Sequence, residues 1–101
     1  MLVEFSIVPV GTGESLSDKI ANIVRTVESS GLPYRLNPMG TVIEGNWEEV
    51  MSIIRKCHDQ VLDESPRVVT TIKIDDRPGR KEMITGKISS VERKLGKKVN
   101  K

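Results

Sequence analysis

The chain has 101 residues, a net charge of +2, and a composition that is 37% hydrophobic and 30% charged. That suffices for one domain with a modest core, and the positive excess is too small to mark a nucleic-acid binder. A single cysteine excludes an internal disulfide framework, and no apolar run approaches the ~18 residues of a membrane span.

Residues 2–10, LVEFSIVPV, alternate as a strand, with Val3, Phe5 and Ile7 on one face and Glu4, Ser6 and Val8 on the other. Met1 leads straight into that pattern, so no signal peptide is expected and the cytoplasm is the expected compartment. Gly11-Thr12-Gly13 breaks the strand. Ser15 or Ser17 then caps a helix whose apolar stripe is Leu16, Ile20, Ile23, Val24 and Val27. Gly31 ends this helix and Pro33 prevents its continuation.

YRLNPMGTVIEG follows, read as strands near 34–37 and 41–45 joined at Asn37-Pro38-Met39-Gly40. Pro38 fixes φ, Gly40 is expected to supply permissive φ/ψ, and Asn37 and Thr41 flank the turn with hydrogen-bonding groups that strand formation does not require. Asn46 caps a second helix, with Glu48 and Glu49 in its first turn. Its predicted stripe is Trp47, Val50, Met51, Ile54, Cys57 and Val61. With only Phe5, Tyr34 and Trp47 as aromatics, the core must be mainly aliphatic, and Trp47 is expected to join it.

Pro66 marks the next break, and RVVTTIKID over 67–75 reads as a fourth strand with Val68, Ile72 and Ile74 on one face. A third helix is predicted from about 80 to 95, with Ile84, Ile88, Val91 and Leu95 at helical spacing, Gly96 as its stop, and 97–101 as a frayed basic tail. The order β-α-β-β-α-β-α predicts an α+β, ferredoxin-like βαββαβ sandwich over 1–96. It has a four-stranded antiparallel sheet, two helices on one face, and an extra C-terminal helix.

The uncovered sheet face then carries Glu4, Ser6, Val8, Arg35, Asn37, Val42, Glu44, Val69, Thr71 and Lys73. Its valines sit poorly in water and its charges sit poorly in a dry core. Such a face suits a subunit interface with a polar pocket; an ordinary half-wet sheet is the competing reading.

VEFSIVPVG, YRLNPMGTVIEG and VVTTIKIDDRPG together resemble the thiamine-binding, YkoF-like family of small ferredoxin-like proteins, over most of the chain. The resemblance implies dimers joined by their sheets, commonly tetramers. It also implies binding of thiamine or its hydroxymethylpyrimidine fragment rather than catalysis, with no cofactor. Carried onto this chain, it places Ser6 and Val8 on the first strand beside the hairpin, and Asn37, Met39 and Thr41 at a pocket mouth. Glu44 and Asp75 are the acidic candidates. The chemistry is compatible: an aminopyrimidine offers an amino donor and ring-nitrogen acceptors, which amide and hydroxyl side chains can match. A cationic thiazolium would be complemented by a carboxylate (Glu4, Glu44 or Asp75) and by stacking on Tyr34 or Trp47.

Other signals are weaker. Cys57 and His58 are adjacent on a helix and point about 100° apart, so they neither chelate one metal ion nor form a nucleophilic pair. Cys57 reads as a buried core thiol and His58 as exposed. Gly11-Thr12-Gly13 could meet an anion, but no Walker-type Gly-Lys-Ser/Thr follows. Asp75-Asp76-Arg77 reads as a solvated strand end. The alternatives on this fold are an RNA-binding module, which would need stacking aromatics on the open face; a hydrolase, which would need a phosphate loop; and a purely structural assembly unit.

Overall fold

The computed structural model describes residues 1–11 and 16–101. In chain order the elements are β1 (Leu2–Val10), α1 (Leu16–Ser29), β2 (Tyr34–Asn37), β3 (Gly40–Glu44), α2 (Trp47–Asp63), β4 (Arg67–Asp75) and α3 (Met83–Leu95). The sheet order is β2-β3-β1-β4 and every neighbouring pair is antiparallel. That is the ferredoxin-like arrangement expected from the element order.

Val3, Phe5 and Ile7 of β1 and Ile43 of β3 pack against Ile23 and Val27 of α1 and Val50, Ile54, Cys57 and Val61 of α2. The α2 set recurs at i, i+4, i+7 and i+11, the stripe that one helix face presents to a sheet. Each such aliphatic burial stabilises by about 1.5–3 kcal/mol. Two helix boundaries follow local chemistry. The Asn46 side chain accepts the Glu49 N–H at 2.8 Å at the start of α2, and Gly31, at φ +75°, follows α1 in the left-handed region. The expected Ser15 cap and the Thr12-Gly13 part of the glycine break lie outside the described residues.

Several expectations are corrected. Trp47 is 52% exposed rather than core: it occupies the first position of α2, and the buried stripe begins one turn later at Val50. His58 is half-buried, and its Nδ1 lies 2.7 Å from the Thr70 hydroxyl on β4. Ile72 and Ile74 share the helix-side face with Phe5 and Val3, their register partners, yet remain partly exposed. They lie on the edge strand, where only one neighbouring strand flanks them. Gly40 is not at positive φ. What it provides is space, since a Cβ there would come within 3.1 Å of the Phe5 carbonyl oxygen.

The helix predicted from about residue 80 begins at Met83. It packs on the sheet face opposite α1 and α2. The row Glu44, Leu2, Asp75 crosses β3, β1 and β4 on that face. The Glu44 carboxylate accepts the N–H groups of Met83 and Ile84, and Asp75 pairs with Lys87. Met83 is buried, Ile84 and Ile88 are half-buried, and Val91 and Leu95 are exposed. Residues 97–101, expected to fray, return to α3: Glu92 accepts the Val99 N–H at 3.0 Å and the Lys101 ammonium at 2.6 Å.

Candidate functional site

A cavity of about 680 Å³ opens at the end of the sheet where the β2–β3 hairpin stops and β1 runs on. The pairing of β1 with β3 ends at Phe5↔Thr41, whereas its pairing with β4 continues to Val10↔Arg67. The sheet therefore has a notch between the hairpin tip and the second half of β1. Both faces of the sheet contribute at this notch. Phe5, Ile7, Leu36 and Thr41 come from the helix side, under Leu16, Ile20 and Ile23 of α1. Ser6, Val8 and Asn37 come from the other side, and Pro38, Met39 and Gly40 form the tip.

The wall is mostly aliphatic, with a few convergent polar groups at Ser6, Asn37 and Thr41. That is the ordinary make-up of a small-molecule site, and the volume falls within the usual range of about 300–1,000 Å³. Met39 is 90% exposed at the rim, and Leu36, Val8 and Leu16 are exposed around it. An apolar rim of this kind shields a ligand from water once it is covered.

Five of the expected residues, Ser6, Val8, Asn37, Met39 and Thr41, meet at this cavity; Glu44 and Asp75 do not. The two carboxylates lie at the opposite end of the sheet, engaged with α3. Lys87 beside Asp75 holds its carboxyl below the usual value. Neither proposed stacking aromatic lines the cavity. Tyr34 donates its hydroxyl to Glu28 at 2.7 Å, a bond that raises the phenol's pKa above its ordinary value. Among the described lining residues there is no carboxylate, and Phe5 is the sole aromatic.

Pattern reading did not assign the rest of the lining to the site, Phe5, Ile7, Leu16, Ile20, Ile23 and Leu36 among them. Their signal was present but ambiguous: an apolar residue on a helix stripe or a strand face reads as core until the register shows that its neighbour is missing.

Cys57 is fully buried beneath α1, and burial pushes its thiol up to about 11. Among the described residues no group of three or more His, Cys, Asp or Glu side chains could hold a metal ion. No helix there is long and apolar enough to cross a membrane.

The fold and cavity define a small α+β domain with an open-ended, mainly apolar cavity. Sequence comparison identifies the family: the thiamine-binding protein family matches residues 3–92, and the chain belongs to it. A UPF0045 protein of Mycobacterium bovis is 42% identical over 96 residues, covering 94% of each chain. A UPF0045 protein of Methanocaldococcus jannaschii is 32% identical over 91 residues, covering 90% of this chain and 91% of its own. The solved structure of a hypothetical protein from the same archaeon superposes with a TM-score of 0.81 at 32% identity, covering 89% of this chain and 93% of that one. A proposed thiamine biosynthesis/salvage protein from Thermotoga maritima gives a TM-score of 0.77 at 26% identity, covering 89% of this chain and 96% of that one.

Proposed function

We propose that this protein is a non-enzymatic binding protein for thiamine or its hydroxymethylpyrimidine part, held in the notch cavity. The observation that carries the reading is the convergence of Ser6, Asn37 and Thr41 on an otherwise aliphatic cavity within a thiamine-binding family domain. Asn37 can donate and accept at once, and the two hydroxyls add further donors and acceptors. The aliphatic wall takes the ring faces and the methyl group. With no carboxylate in the described lining, the neutral pyrimidine is the part these residues suit. The cationic thiazolium is then directed toward the open mouth.

The same reading places the protein in the cytoplasm as a homotetramer. Val8, Val10 and Val69 are exposed on the sheet face that α1 and α2 leave uncovered, and burying such a face against a second copy is favourable. Isothermal titration calorimetry against thiamine, thiamine phosphate and the free hydroxymethylpyrimidine tests the ligand. A saturable dissociation constant at or below micromolar is expected for at least one of them. No heat with any of the three would remove the ligand assignment.

A further inference from the structure

The notch leaves one residue of β1 with both of its main-chain hydrogen-bonding groups, N–H and C=O, directed at the cavity, and the register identifies it. Gly45 donates its N–H to the Met1 carbonyl at 3.1 Å, so Met1 and Gly45 form a hydrogen-bonded pair at the start of the β1–β3 ladder. In an antiparallel ladder, alternate residues turn their N–H and C=O toward a given neighbour. Counting along the register, Val3 faces Ile43 in this way and Phe5 faces Thr41. The opposite phase is seen at Glu44, whose N–H turns away from β1 to the Pro33 carbonyl at 3.0 Å.

The next residue in phase is Ile7. Its partner across the ladder would be Met39, but Met39 lies in the hairpin turn and the pairing has already ended. Among the described residues, no strand pairs with Ile7 on this side, and Ile7 lines the cavity. One step further in phase is Pro9, which has no N–H to offer. Ile7 is therefore the residue of β1 that presents a donor together with an acceptor to the notch.

We infer that the Ile7 main chain reads the amino edge of the pyrimidine, its C=O accepting the exocyclic amino group and its N–H donating to the adjacent ring nitrogen. This rests on the pyrimidine reading above and specifies how that site selects its ligand. The ligand edge takes the place of the missing β3 residue, which would have exchanged the same two bonds with Ile7. Buried backbone groups need partners, and a strand edge enclosed by an aliphatic cavity is costly to leave unpaired once water is displaced. A ligand without the amino group leaves the Ile7 carbonyl unsatisfied, so selectivity comes from a rigid strand rather than from a mobile side chain. Asn37, on the other side of the notch, is left for the hydroxymethyl arm and the second ring nitrogen.

The test compares hydroxymethylpyrimidine with its deamino analogue, which carries hydrogen in place of the amino group, by calorimetry on the full chain. A parallel measurement follows the amide of Ile7 in the ¹⁵N-labelled protein. The analogue is expected to bind about tenfold more weakly or worse. On saturation with the amino form, the Ile7 amide proton should shift downfield and exchange more slowly. In Asn37→Ala the affinity for both compounds should fall while the discrimination between them persists. Equal affinity for the two compounds, or an Ile7 amide that does not respond, overturns the inference while leaving pyrimidine binding intact. If neither compound binds, the pyrimidine reading and this inference fall together.

Discussion

The Glu44 carboxylate on β3 accepts the backbone N–H of Met83 at 2.8 Å, capping α3 from a different element of the fold. The helix needs that outside help. Its own N-cap residue, Glu82, sits at φ +54° in the left-handed region and makes no side-chain capping bond. The N–H groups of the first turn would otherwise lack partners, and the carboxylate also meets the positive end of the helix dipole. Glu44→Ala is expected to cost about 1 kcal/mol and to speed amide exchange across α3 in particular, with Glu44→Gln losing less because an acceptor remains. Denaturant midpoints and exchange rates check this; an α3 that exchanges unchanged in the alanine variant would refute the cap.

The acid limb of stability should also appear at α3. Asp75 is held below the ordinary carboxylate value by its hydrogen bond to Lys87, and Glu92 by its hydrogen bonds to Lys101 and the Val99 N–H. A carboxylate depressed in the folded state is protonated first in the unfolded state as the pH falls. The stabilisation is therefore complete above the unfolded values of about 4 and is lost as the pH drops below them through the folded values. Amide exchange in α3, corrected for its intrinsic pH dependence, should loosen over that acid range before the sheet core does. Carboxyl titration by NMR should show Asp75 returning toward the ordinary value in Lys87→Ala.

The β-α-β-β-α-β order, the α2 cap and the core stripes were legible because each rests on local chemistry or simple periodicity: Asn46, Gly31, and the recurrence of Val50, Ile54, Cys57 and Val61. What was not legible depends on where elements end relative to one another. Trp47 fits the apolar period but precedes the buried part of the stripe. Glu44 and Asp75 looked like ligand carboxylates because sequence does not reveal that α3 crosses their row of the sheet. Ser6, Asn37 and Thr41 were singled out as polar groups around the hairpin. Their meeting at one cavity, with Ile7 at its edge, follows from β3 stopping at Gly40 while β1 runs on to Val10, a difference visible only in the register.

Cys57 should be chemically silent in the folded protein. It is fully buried and its thiol is raised to about 11, so near neutral pH almost none is thiolate, the reactive form. Labelling by an aromatic disulfide reagent should proceed only through opening of the α1–α2 layer, with a rate that tracks denaturant-induced unfolding. Fast labelling in native buffer would show that this layer opens locally. Cys57→Ser places a hydroxyl in an apolar site and is expected to cost about 1–3 kcal/mol.

Asn37→Ala is expected to weaken pyrimidine binding at least tenfold with little loss of stability. Its side chain is half-buried at the notch, away from the helix-packed core, so truncation opens no core cavity. The position remains compatible with the strand end, where Asn37 pairs with Gly40 across the hairpin. Calorimetry alongside thermal melting separates the two effects. An unchanged dissociation constant would remove Asn37 from the site, and a large fall in melting temperature would assign it to the fold.

On the sheet face opposite α1 and α2, the end that lies away from the Glu44 and Asp75 row held by α3 makes the last prediction. Val69 is 44% exposed and lies directly opposite Val8 in the β1–β4 register, with Thr71 and Ser6 as the next pair on the same face. Val69 points away from the α1–α2 core, so Val69→Lys leaves the packing of the subunit untouched while setting a charge in the apolar patch. If copies join through this face, light scattering at micromolar concentration should show a tetramer for the natural chain and a smaller species for the variant, both folded by circular dichroism. The notch shares Val8 and Ser6 with that face. A ligand seated there should then raise the stability of the assembly with the logarithm of ligand concentration above its dissociation constant, because it binds the folded, associated state. A natural chain that scatters as a monomer defeats the assembly reading. A variant that keeps the full assembly moves the interface to another surface, of which the exposed Val91 and Leu95 stripe on α3 is the next to mutate.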